Sequence, residues 1–161
     1  MKTTIKSFSP VILAALATIM PASQVSATNT TLVSQLMVKT SVVDVLGVRE
    51  IESGSFEKGI RRSKAGLAKT SAGSLRKPLL DNLCVAHLAI KDMEQASQYC
   101  HAAINAGKTS AISFNNRAVM HYVLGDVEAS LDDLDAASKF GSFQNMVGRN
   151  LRIVSQQKLT Q

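Results

Sequence analysis

The chain has 161 residues, enough for one domain, and a formal charge of +6 from 18 basic and 12 acidic side chains. It contains no tryptophan and only 4% aromatic residues. Platforms for stacking bases are therefore nearly absent, and the modest positive excess does not point to nucleic acid.

The first 27 residues read as a removable leader. Lys2 and Lys6 give a positive start, Val11–Met20 is an unbroken apolar run, and Val25-Ser26-Ala27 places small residues at the two positions a signal peptidase reads. This layout predicts a secretory signal peptide cleaved after Ala27, and a periplasmic or secreted protein of bacterial type. The apolar run is about half the ~20 residues of a membrane-spanning helix. No cysteine lies near the cleavage point, which argues against a lipid anchor, and no later segment is long and apolar enough to span a bilayer. Losing Lys2 and Lys6 lowers the formal charge to +4. Residues 28–40 are open between a tail, a short helix and a segment folded over the first repeat.

From there the apolar spacing predicts helices over 41–53, 56–69, 77–91, 93–106, 111–124, 127–139 and 143–157. Thr70–Ser74 reads as a loose linker. Pro78 suits the first turn of the next helix, where a missing N–H costs nothing. Met146, Val147, Leu151 and Val154 stand at helical spacing in the last helix, which reads as a cap on the element before it.

The stretch from Leu80 repeats itself 34 residues later, from Phe114. Asn82 aligns with Asn116, Cys84 with Ala118, Val85 with Val119, His87 with His121, Asp92 with Asp126, Glu94 with Glu128, Ala96 with Ser130 and Ala103 with Ala137. With Phe114, Asn116-Arg117-Ala118, Tyr122-Val123-Leu124-Gly125-Asp126, Leu131 and Ala137, the second unit resembles the tetratricopeptide repeat family, whose period is 34. The first unit departs from the pattern at Lys91, where the family has a turn glycine, and both lack the closing proline. Val45-Leu46-Gly47 and Gly54–Gly59 resemble the middle of a third, weaker copy. The resemblance implies an all-α fold: a right-handed α-solenoid of about three helix hairpins (41–75, 77–110 and 111–142) with a capping helix at 143–157, the whole repeat domain filling 41–161. No single hairpin hides its apolar face, so stacking is what buries the core.

The resemblance also implies a site. In such arrays the first helix of each pair lines a concave surface along which ligands lie. The equivalent places here are Val48, Val85 and Val119 in one row, Ile51, Leu88 and Tyr122 beside them, and Asp44, Asp81 and Asn115 in a polar row. An apolar stripe edged by hydrogen-bonding groups suits an amphipathic helix or an extended apolar peptide from another protein. The alternative is that the chain fills its own groove with Leu32–Val38 or with the C-terminal helix.

Cys84 and Cys100 fall on the two helices of one hairpin, about equally far from its turn. Two readings stay open: a structural disulfide, or two reduced cysteines packed as small apolar residues. A different class of function, a redox or metal protein, would use Cys84, Cys100 and His87, with His101 nearby; zinc takes such ligands. The spacing is not that of a C-x-x-C redox pair. There is no nucleophile elbow or phosphate-binding glycine loop, so no enzyme activity and no cofactor are expected. Charge divides between a basic run (Lys58, Arg61, Arg62, Lys64, Lys69, Arg76, Lys77) and an acidic one (Asp126, Glu128, Asp132, Asp133, Asp135). That reads as solvated helix faces or as poles for an acidic partner, an anionic membrane surface or head-to-tail self-association.

Overall fold

The computed structural model describes residues 35–159. Among these, all regular structure is helical: α1 (Val48–Glu52), α2 (Phe56–Lys69), α3 (Gly73–Ala89), α4 (Met93–Asn105), α5 (Ala111–Val123), α6 (Val127–Ser138) and α7 (Gln144–Lys158). Consecutive helices pack against each other. The odd-numbered helices also touch in series, α1 on α3, α3 on α5 and α5 on α7. No described helix is long and apolar enough to cross a membrane. The segment read as a signal peptide, and the next seven residues, lie outside the described residues.

The turns between helices are built alike. After α1, α3 and α5 the chain closes with the same pair of backbone bonds. Ser55 N–H reaches Glu50 O and Gly54 N–H reaches Ile51 O. Asp92 reaches His87 and Lys91 reaches Leu88; Asp126 reaches His121 and Gly125 reaches Tyr122. This is the Schellman closure, which needs a left-handed residue just past the helix end. Gly54 (φ 80°) and Gly125 (φ 88°) meet the need without strain, but the second turn uses Lys91 at φ 61°. Asp92 and Asp126 then cap α4 and α6 by accepting from Gln95 N–H and Ala129 N–H. Lys91 is exposed, and a side chain in the left-handed region costs about 1–2 kcal/mol. Lys91→Gly is therefore expected to raise stability by about 0.5–1 kcal/mol, after the entropy glycine adds to the unfolded chain. A thermal melt checks this, and an unchanged or lower Tm would refute it.

Helix pairing depends on small residues at matched places. Gly59, Ala96 and Ser130 form one buried set on α2, α4 and α6, and Gly66, Ala103 and Ala137 form another. A Cβ on Gly59 would run into Ile51, and one on Gly66 would come 3.0 Å from Leu79. The crossing point of each pair also recurs: Gly47 against Ser63, Cys84 bonded to Cys100, and Ala118 with Leu134 inside the last apolar cluster.

Two predicted helix starts move by more than one residue. The helix expected over 41–53 is reduced to Val48–Glu52 because Gly47 has φ 94°, which no right-handed helix accommodates. Residues 35–47 form a non-helical strap instead. The linker expected over Thr70–Ser74 shrinks to Thr70–Ala72, since α3 starts at Gly73 and takes Pro78 into its second turn. The early start holds because Leu75 and Arg76 N–H both reach Ala72 O. The Arg76 guanidinium also donates to the Leu67 and Thr70 carbonyls, tying that first turn to the end of α2.

Candidate functional site

The strap crosses the odd-numbered helices in reverse order, α7 first, then α5, then α3. It is held by three asparagines placed 34 residues apart. Asn150 on α7 accepts Met37 N–H at 2.8 Å and donates to Met37 C=O at 2.7 Å. Asn116 on α5 accepts Lys39 N–H at 3.0 Å and donates to Lys39 C=O at 2.8 Å. Asn82 on α3 accepts Ser41 N–H at 2.8 Å. One repeat of the helices thus matches two residues of the strap, because the backbone groups of every second residue in an extended chain point to the same edge. All three asparagines are fully buried. A buried amide is costly unless bonded, and the strap backbone supplies these bonds. Asn115 adds a further bond, donating to Met37 C=O at 2.8 Å while accepting from Asn150 at 2.9 Å.

Strap side chains alternate in exposure over residues 35–38, beyond which Lys39 is half-buried and Thr40 and Ser41 are both buried. Leu36 packs into the cluster of Ala118, Tyr122, Leu134 and Val147, and Val38 into that of Ile51, Val85 and Ala86. Thr40 is buried and bonds Glu52 at 2.5 Å. Met37, between them, is 43% exposed. Leu36, Val38 and Thr40 thus pack on the helices while the strap's backbone bonds the asparagines.

The residues expected along the groove divide accordingly. Ile51, Val85 and Tyr122 lie in the clusters that receive the strap, Asn115 bonds it, and Val48 borders a shallow cleft with Lys39 and Ser41. Val119 is buried on α5. Leu88 packs elsewhere, with Met93 and Tyr99 against Cys84, Ala96, Cys100 and Met120. Asp81 joins α3 to α5: Lys77 donates to it at 2.9 Å and Ser113 at 2.8 Å, and Lys77 also contacts Ser110 and Ser113. Burial pushes the Asp81 carboxyl up from its ordinary range, and the Lys77 charge opposes that shift. This network borders a cleft of about 520 Å³ lined in part by Val42, Val43, Pro78, Ile112 and Phe143. Asp44, exposed, pairs with Arg49 at 2.6 Å. The sequence reading missed the asparagine set as a site. Its signal was present in the Asn82–Asn116 match, which Asn150 continues at the same interval.

Cys84 and Cys100 form a disulfide with Cα atoms 4.8 Å apart. The bonded pair has no thiolate to give a metal, and among the described residues no three His, Cys, Asp or Glu side chains group as ligands. His87 stacks on Tyr99 with centroids 5.2 Å apart and sets Nδ1 3.1 Å from Asp92. Its burial lowers the imidazole pKa, with Asp92 opposing. His101 packs edge-on against His121.

Much of the predicted charge division is satisfied internally. Arg62 and Lys58 reach Glu50 at 3.1 and 3.9 Å, Lys64 lies over the Tyr99 ring, and Arg76 and Lys77 are engaged as described. In the acidic run, Asp133 takes a two-pronged bond from Arg117 at 2.8 and 2.7 Å. Asp135 pairs with Lys139, and Glu128 with Lys158.

No family model, no curated protein and no solved structure matches this chain.

Proposed function

We propose that the chain is an exported protein-binding module: three tetratricopeptide-like hairpins stacked as a right-handed solenoid, with α7 as its cap, whose odd-numbered helices hold an extended segment of polypeptide. The observation that carries this reading is the set of buried asparagines at 34-residue intervals pairing with the backbone of every second residue of an extended strap. Amides placed in that way recognise a main chain irrespective of sequence, and the apolar places beside them choose among side chains. The repeated Schellman turns and small-residue crossings support the solenoid. The Cys84–Cys100 bond supports an oxidising compartment, where disulfides persist, and hence the reading of the leader as a signal peptide.

The test is binding of the full chain to an array of nine-residue peptides of varied alternating pattern. Extended peptides with aliphatic residues at alternate positions are expected to bind, and Asn116→Leu with Asn150→Leu should weaken them at least tenfold. Binding that is indifferent to both substitutions, or confined to helical peptides, would overturn the reading.

A further inference from the structure

The strap fills its own site imperfectly. At α7 and α5 one asparagine pairs with both the N–H and the C=O of a single residue. At α3 the third rung is half made: Asn82 Oδ1 accepts from Ser41, but its fully buried Nδ2 has no acceptor. Connectivity explains the defect. The Ser41 hydroxyl accepts Val43 N–H at 3.0 Å, and Val45 N–H reaches Val43 O at 2.9 Å. The chain bends at that point to reach Gly47 and α1. A strap that must turn into α1 cannot keep its carbonyl beside Asn82, whereas a segment free of α1 runs straight past it.

The geometry points to a strap that is an exchangeable, self-inhibiting occupant, displaced by an extended segment of another polypeptide that completes the Asn82 rung. That segment carries aliphatic side chains at the places of Leu36 and Val38 and a small hydroxyl side chain at the place of Thr40. Its backbone stays extended beyond the residue facing Asn82. This inference rests on the groove reading above and adds the partner's pattern and the means of regulation. Satisfying a buried donor that is otherwise orphaned favours the free segment by about tenfold. The tether opposes it with an effective concentration on the order of mM. Displacement therefore requires a segment that matches all three rungs and both apolar places, which turns the strap into a filter against weak ligands.

The test uses the full chain and a fluorescein-labelled peptide of residues 35–43, which repeats the strap without its tether. Leu36→Asp with Val38→Asp removes the strap's apolar anchors and should raise peptide affinity at least tenfold over the parent chain. Adding Asn82→Leu to that variant should lower it about tenfold. Equal affinity for parent and strap variant, abolished by Asn116→Leu, overturns the inhibitory strap and leaves the groove reading standing. A folded strap variant that binds no peptide overturns both. Affinity unchanged by Asn82→Leu overturns the third-rung argument. If the strap variant does not fold, hydrogen exchange of the parent decides. Amides of Met37, Lys39 and Ser41 that exchange through an opening separate from α3 and α5 support an exchangeable strap. Exchange of those amides only with global unfolding overturns it.

Discussion

Gly47→Ala is expected to destabilise the protein by about 2–5 kcal/mol, read as a lower urea midpoint at unchanged slope. Two costs combine. The residue has φ 94°, and a side chain in that region costs about 1–2 kcal/mol. Its Cβ would also run into Ser63 Oγ and lie 2.5 Å from the Gly59 carbonyl. Overpacking of this kind adds about 1–3 kcal/mol, and here one obstacle is backbone, which cannot rotate away. The Ser63 hydroxyl is itself committed to the Leu46 carbonyl at 3.0 Å. Gly54→Ala is the matched control. It has φ 80° with nothing within 4 Å, so only the conformational cost of about 1–2 kcal/mol applies. Equal losses at the two sites would show that the crossing of α1 and α2 is not tight.

The second large effect is expected from the disulfide. Cys84→Ala with Cys100→Ala should cost about 3 kcal/mol, the loop-closure value for a span of this length. The residues are separated by 16 positions, and both sulfurs are buried against Ala96 and Met120. Alanine is preferred to serine for the test because a hydroxyl there would be buried among apolar neighbours. Thermal melts with and without reductant give the check. The parent should lose stability once its thiols are shown to be free, and the double variant should not respond. A parent indifferent to complete reduction would mean that helix packing alone sets the hairpin. The bond joins the same crossing point that Gly47–Ser63 and Ala118–Leu134 occupy in the neighbouring pairs, so it clamps a contact the repeat already makes.

Much of the helical pattern was legible because its causes are local. Turn chemistry at Gly54-Ser55, Lys91-Asp92 and Gly125-Asp126 marks the ends of α1, α3 and α5, and the five helices from α3 onward follow from apolar spacing. Lys91 shows that the 34-residue repeat outweighs residue preference: the turn forms with a strained lysine where glycine would be easier. The failures are equally physical. Val42, Val43 and Val45 share an apolar spacing with a helix, but Gly47 takes a left-handed backbone that ends that possibility. Pro78 suits a helix start because a proline lacks an N–H. Its helix instead begins five residues earlier, held by Ala72 and by Arg76 reaching back to α2.

The site was legible only in part. Val85, Ile51, Tyr122 and Asn115 follow from repeat position, since a residue's place in the unit decides which surface it joins. Leu88 shares its place in the unit with Ile51 and Tyr122 yet packs against the cluster around the disulfide, so repeat position alone does not assign it. Asp81 sits at the right place but is claimed by Lys77 and Ser113, an arrangement that depends on α5 lying beside α3.

By itself the sequence determined most of the helices and their turns, because each arises from residues within a few positions of one another, and it displayed the 34-residue repeat directly. It also set Asn82, Asn116 and Asn150 at one interval. Only the tertiary structure decided what those asparagines hold. Their partners Ser41, Lys39 and Met37 lie 41, 77 and 113 residues away along the chain. Met37, Lys39 and Ser41 spend their backbone N–H groups on these distant asparagines rather than on near neighbours, so nothing local announces that part of the strap.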